Sequence, residues 1–264
     1  MIRYKWKKIF QSCFKIIMKK NIRLKKFYKN KKKISCITAY DATFSIFLDR
    51  LGTDIILVGD SLGQVIKGDN TTHRVSLDEI IYHSKCVKSG LKSAMLMVDL
   101  PKDTYATKNQ AYISSKKIIH ECKADLIKIE VDDDNFDIAS YLVSKNIPLC
   151  GHIGLLPQSI KSKKGYRKYG RKKKEADLLY NNALNLDQIG TDLILLECVE
   201  ENLAKRITEA CKTPVIGIGS GSKLDGQVAV IYDLLGISFN QIPSLTSSVN
   251  PSLTRVIKNF INKK

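Results

Sequence analysis

Apolar residues in this chain collect in short continuous runs, and the segments between the runs carry helical stripes. ISCITA (34–39), DIILVG (54–59), AMLMVD (94–99), DLIKIE (125–130), IPLCGH (147–152), DLILLE (192–197) and PVIGIG (214–219) read as seven strands. Strands that are apolar at successive positions are covered on both faces, as in a parallel sheet flanked by helices. A weaker eighth strand is expected near 236–239. Helices are expected near 43–51, 76–91, 107–123, 135–145, 175–190, 200–211 and 225–235, with a tail helix near 251–262. Ser76 followed by Glu79 forms a capping box, and Thr107 with Gln110 repeats the pattern.

Strict alternation of strand and helix predicts a closed (β/α)8 barrel of the TIM type. An open doubly wound sheet would carry a glycine-rich turn after its first strand. TAYDATF (38–44) does not supply one. Two connections are long, 61–75 and 154–174, and long βα loops usually carry function or act as lids.

The ends of five strands carry the candidate chemistry. They stop at or next to Asp60, Asp99, Glu130, His152 and Glu197. In a parallel barrel the carboxyl ends of the strands form one rim, where active sites are assembled. Four carboxylates and an imidazole on one rim call for a cation, a ligand or raised pKa values to offset their repulsion. Lys128 and Glu130 lie two apart on one strand and so share a face. Asp60, Asp99 and Glu130 resemble a site for a hard cation such as Mg²⁺, which takes oxygen ligands. His and Cys spacing of a structural zinc site is absent. His152 reads either as a contact to substrate or to metal-bound water, or as a histidine packed under the rim. His83 and His120 fall within expected helices and read as structural or surface residues.

Charge changes this picture less than its total suggests. The net charge is +18, but residues 1–40 hold 14 Lys or Arg and no acid. Lys161 to Lys174 adds nine more positive charges, and the remainder is slightly acidic. The chain is therefore an acidic body with a basic arm and a basic loop. A nucleic-acid or membrane-surface binder led by residues 1–33 is the competing reading from charge. No zinc-finger spacing or ribonucleoprotein signature supports it, and no apolar run reaches the ~18 residues of a membrane span. Residues 1–20 are expected to be a basic extension, with Met18 as an alternative start, and 21–264 a single catalytic domain. Seven cysteines, an odd number without CxxC, predict a reduced, cytoplasmic protein.

Several ordered motifs then match one family. They are TAYD (38–41), VGDSLG (58–63), DLP (99–101), KIE (128–130), CGHIGLLPQS (150–159), LLECV (195–199) and GIGSG (217–221). Over about residues 21–243 the chain resembles the ketopantoate (3-methyl-2-oxobutanoate) hydroxymethyltransferases. The resemblance implies a barrel of the phosphoenolpyruvate mutase/isocitrate lyase type and a transfer from 5,10-methylenetetrahydrofolate to 3-methyl-2-oxobutanoate. The product is 2-dehydropantoate, in pantothenate biosynthesis. It implies Mg²⁺ held by Asp60, Asp99 and Glu130, and a 2-oxo acid held by Asp60, Ser61, Asp99 and Lys128. It also implies Glu197 as the proton acceptor that forms an enolate, and a homo-oligomer, a homodecamer in bacterial members. The alternative within the same barrel is another Mg-dependent 2-oxo acid lyase or transferase. The acidic loop VDDDN after Glu130 and the short C-terminus depart from the family's pattern.

Overall fold

The computed structural model describes residues 33–160, 167–238 and 251–261. The basic extension expected at 1–20, Cys13 and the first part of the basic loop lie outside the described residues.

Eight parallel strands close into a barrel in sequence order. They are β1 (Ile34–Thr38), β2 (Ile55–Val58), β3 (Met95–Asp99), β4 (Leu126–Glu130), β5 (Leu149–Gly154), β6 (Leu193–Glu197), β7 (Val215–Ile218) and β8 (Gly226–Ala229). The helices are α1 (Ala42–Arg50), α2 (Leu62–Val65), α3 (Leu77–Gly90), α4 (Lys108–Cys122), α5 (Phe136–Ser144), α6 (Lys173–Ile189), α7 (Glu201–Ala210), α8 (Ile231–Leu234) and α9 (Pro251–Ile261).

Side-chain alternation divides the core in two. Ile56, Val58, Leu96, Val98, Ile127 and Ile194 face outward, under the helices. Their alternates Ile55, Leu57, Met95, Met97, Leu126, Cys150, Leu193 and Leu195 fill the barrel interior. Burying each large aliphatic side chain contributes ~1.5–3 kcal/mol. Both faces are apolar for this reason, which is why the strands read as continuous runs.

Local signals set the helix starts. Ser76 accepts from the Glu79 N–H at 3.2 Å, and Glu79 Oε2 accepts from the Ser76 N–H at 2.7 Å, completing the box. Thr107 accepts from the Gln110 N–H, but Gln110 Oε1 returns to the Ala106 N–H instead of the cap's own. Asp41 of TAYD caps α1 by accepting from the Phe44 N–H at 2.8 Å. That acid is structural.

The eighth strand corrects the sequence expectation. It is Gly226–Ala229, inside the segment expected to be a helix, and it pairs with both β1 and β7 to close the barrel. The run GQVAVIYDLL has helix-like apolar spacing, which hides four strand residues followed by the single turn α8. Gly226 is needed for closure, because a Cβ there would run into the Ile34 carbonyl and side chain. Within the segment expected to be the strand, residues 236–238 are described and carry no strand.

Candidate active site

The rows that fill the barrel interior continue upward into charge. Met95 and Met97 on β3 are followed two residues later by Asp99. Leu126 on β4 is followed by Lys128 and Glu130, Cys150 on β5 by His152, and Leu193 and Leu195 on β6 by Glu197. Period-two alternation therefore aims these five side chains inward at the rim. Strand register makes Asp99 the neighbour of Lys128, and Glu130 the neighbour of His152. Asp60 arrives differently. Strand β2 ends at Val58, and the chain turns at Gly59 before α2. The Asp60 N–H donates to Asp99 Oδ2 at 3.1 Å, locking the turn to β3.

Asp60, Ser61, Asp99, Lys128 and Glu197 line one cavity of about 120 Å³ at this end of the barrel. That volume suits a small acid rather than a macromolecule. Lys128 Nζ lies 2.9 Å from Asp99 Oδ1, both side chains being buried. Burial opposes the lysine's charge, but Asp99 and Asp60 outweigh it and keep the ammonium. Burial pushes Asp99 up to about 7, with Lys128 opposing and Asp60 adding to the rise. Glu197 has a 16 % exposed side chain, and removal from water raises it to about 7 against the pull of Lys128. Glu130 is raised well above the carboxylate range by burial and by the Asp60 charge.

His152 packs under the rim and does not line the cavity. Its Nδ1 is 3.5 Å from Lys128 Nζ, and its Nε2 is 3.3 Å from Glu197 Oε2. Burial and the neighbouring ammonium hold it neutral. An ammonium can only donate, so the ring proton belongs on Nε2, facing Glu197. The Nε2 contact is electrostatic and not aligned as a hydrogen bond. His83 is structural, with Nδ1 2.7 Å from the Tyr40 carbonyl, and His120 is exposed on α4.

Sequence reasoning assigned no role to three further residues. Tyr40 Oη is 2.6 Å from Ser61 Oγ. Thr72, from the long loop after β2, lines the cavity with its Oγ1 buried and unpartnered. Gln158 is buried among the acids. Its N–H donates to Glu130 Oε1 at 2.8 Å, and its Nε2 donates to Asp60 Oδ2 at 2.9 Å. Tyr40 and Gln158 stood inside the quoted motifs TAYD and CGHIGLLPQS; nothing in the sequence marked Thr72.

Asp60 and Asp99 fit a hard divalent cation. They present two carboxylates to one cavity, and such ions often take only one or two. Glu130 stands behind them, engaged by Gln158 and, at 3.5 Å, by Ser159 Oγ. Among the described residues no three His, Cys, Asp or Glu side chains gather as a ready ligand set. A cation at Asp60 and Asp99 would therefore be completed by water and ligand oxygens.

Comparison with known proteins decides the family. A sequence model of ketopantoate hydroxymethyltransferase matches residues 19–263. The chain belongs to the ketopantoate hydroxymethyltransferase family. It is 43% identical over 242 residues to the 3-methyl-2-oxobutanoate hydroxymethyltransferase of Buchnera aphidicola, covering 90% of this chain and 92% of that one. It is 42% identical over 226 residues to the enzyme of the same name from Psychromonas ingrahamii, covering 86% and 85%. Solved structures show the fold of this hydroxymethyltransferase family member at much lower identity. A putative phosphonomutase from Burkholderia cenocepacia superposes with a TM-score of 0.64 at 9% identity, covering 92% of this chain and 99% of that one. A 2,3-dimethylmalate lyase of the PEP mutase/isocitrate lyase superfamily gives 0.61 at 11%, covering 92% and 86%. The barrel type expected from the motifs is thus the one found.

Proposed function

We propose that this hydroxymethyltransferase moves a one-carbon unit from 5,10-methylenetetrahydrofolate to 3-methyl-2-oxobutanoate through an enolate, with Glu197 as the base. The observation that carries this reading is the arrangement of the cavity's charges. Asp99 is ion-paired with Lys128, and Asp60 accepts from the Gln158 amide. Asp233, the fourth acid of the lining, accepts from Ser238 Oγ, which leaves Glu197 as the cavity carboxylate that accepts no aligned hydrogen bond.

Lys128 binds the substrate's negative charge, and the Ser61 hydroxyl, backed by Tyr40, offers a hydrogen bond to it. Asp60 and Asp99 would hold Mg²⁺, with Glu130 behind them. When bound, that ion would polarise the oxo group and offset the charge that develops on it. Glu197 takes the proton from C3, and the electron pair of the broken C–H bond forms the enolate. Water adds to the methylene carbon of the folate as its two C–N bonds break, which leaves tetrahydrofolate and a formaldehyde-level carbon. C3 attacks that carbon, forming the new C–C bond, and the C=O electron pair moves to the oxygen, which takes back the proton held by Glu197 as 2-dehydropantoate leaves. Neutral His152 keeps its Nε2 face toward Glu197 and orients it.

A base must be ionised to accept the proton. With Glu197 raised to about 7, hydrogen exchange at C3 of the 2-oxo acid rises as pH increases through about 7 and levels above it. The pH profile of exchange in D₂O, followed by NMR, checks this. A rate that falls over the same range contradicts Glu197 as the base.

The family resemblance also supports a homo-oligomer, a homodecamer in the bacterial pattern. Val256, Ile257 and Ile261 on α9 are exposed apolar residues in keeping with it. No described helix is long and apolar enough to cross a membrane. The described cysteines are all free and mostly buried, which supports a reducing, cytoplasmic setting.

A further inference from the structure

Gln158 makes four hydrogen bonds inside the rim, to partners that follow or end three different strands. Its backbone N–H donates to Glu130 Oε1 at 2.8 Å. Its Nε2 donates to Asp60 Oδ2 at 2.9 Å and to the Leu100 carbonyl at 3.0 Å. Its Oε1 accepts from Tyr105 Oη at 2.7 Å. The residue is 4 % exposed, so water does not compete for these bonds.

The orientation of the amide is forced. Asp60 Oδ2 and the Leu100 carbonyl are acceptors, so the NH₂ group must face them and the oxygen must face Tyr105. A flipped amide would set its oxygen against two oxygens and its NH₂ against the phenol. Burial, then the Glu130 charge, keeps Tyr105 protonated and able to donate. Tyr105 is itself buried and sits in the turn between β3 and α4, where Ser114 Oγ of α4 bonds the adjacent Thr104 carbonyl. On the other side, Pro157 lines the cavity and its carbonyl is 3.1 Å from His73 Nε2 of the long loop after β2. Gln158 therefore joins three loops at the point where Asp60 turns into the cavity.

We propose that Gln158 is a positioning residue that holds Asp60 in the conformation needed to bind a divalent cation, with Tyr105 fixing its amide. This rests on the reading that Asp60 and Asp99 take such an ion. Outer-shell partners of metal-binding carboxylates typically contribute ~10–100-fold in metal affinity. Gln158→Leu removes the bond to Asp60 but keeps the backbone N–H bond to Glu130. Tyr105→Phe removes only the phenol and leaves the amide less constrained.

The test is Mg²⁺ titration of the substrate-free protein by calorimetry, with C3 exchange at saturating Mg²⁺ measured alongside. Gln158→Leu should weaken Mg²⁺ binding by about tenfold or more, and Tyr105→Phe by a smaller factor in the same direction. Exchange at saturating Mg²⁺ should fall by a smaller factor than the Mg²⁺ affinity does, because Glu197 does not contact Gln158. Gln158→Asn, whose amide is one methylene shorter, should recover part of the affinity that Gln158→Leu loses. If Gln158→Leu does not fold, Tyr105→Phe decides alone: unchanged Mg²⁺ affinity overturns the proposal. Unchanged affinity in a folded Gln158→Leu, or a loss confined to the saturated exchange rate, also overturns it. Failure of the wild-type protein to bind Mg²⁺ at all would instead defeat the metal reading on which it rests.

Discussion

Replacing Glu197 by Gln lowers hydrogen exchange at C3 of 3-methyl-2-oxobutanoate by about 10²–10⁴-fold and leaves the barrel folded. The size follows from the loss of a positioned base, and the intact fold follows from the site. Glu197 ends β6 at the mouth, and its carboxylate makes no aligned hydrogen bond that Gln would have to replace. The backbone there is held independently, since the Leu155 N–H donates to the Glu197 carbonyl at 2.8 Å and the Cys198 N–H to the Ile218 carbonyl at 2.9 Å. No neighbour can take over. Asp99 is committed to Lys128, Glu130 and Asp60 are committed to Gln158, and Asp233 accepts from Ser238 Oγ. His152 is neutral but buried behind Glu197, off the cavity wall. Exchange followed by NMR, with urea unfolding of the same variant, separates a lost base from a lost fold. Exchange retained within about tenfold would place the base elsewhere.

The second large effect falls on Lys128. Lys128→Met should abolish substrate turnover and lower stability by about 3 kcal/mol at about pH 8, the scale of breaking one partner out of a buried ion pair. The substitution removes the cation that balances Asp99 and opposes the raised pKa values of Glu197 and Glu130. The pH dependence follows from the sign of the Asp99 shift. Asp99 is already raised in the folded protein, and without Lys128 it rises further above its unfolded value. A carboxyl group raised on folding destabilises the fold as pH climbs from the unfolded pKa toward the folded one. Below the unfolded pKa it is neutral in both states and adds no penalty. The stability deficit of the variant against wild type should therefore be larger at about pH 8 than at about pH 5.5. Urea unfolding at the two pH values measures it. A deficit that grows on acidification would mean that Lys128 is not what offsets Asp99.

The barrel was legible because burial on both faces writes itself as continuous apolar runs, bounded by capping signals such as Ser76 and Glu79. Most of the site was legible for a related reason. On β3 to β6 the inward row of Met, Leu or Cys ends at the rim in an ionisable residue. Asp99, Lys128, Glu130, His152 and Glu197 all obey that parity. Strand β8 was misplaced because four residues beginning at Gly226 carry little pattern, and barrel closure against Ile34 is a contact across most of the chain. Gln158 and Thr72 were not legible as site residues, since loops place them and no period governs a loop. His152 could be read from its position but not its role, because only packing shows whether an imidazole faces the cavity or lies beneath it.

The central claim is hydroxymethyl transfer to a 2-oxo acid, and product formation tests it most directly. Purified protein is incubated with 3-methyl-2-oxobutanoate, 5,10-methylenetetrahydrofolate and Mg²⁺, and both products are followed by NMR. The account predicts 2-dehydropantoate and tetrahydrofolate in equal amounts, lost in Glu197→Gln. Exchange of the C3 proton with solvent, but no new C–C bond and no tetrahydrofolate, would contradict it.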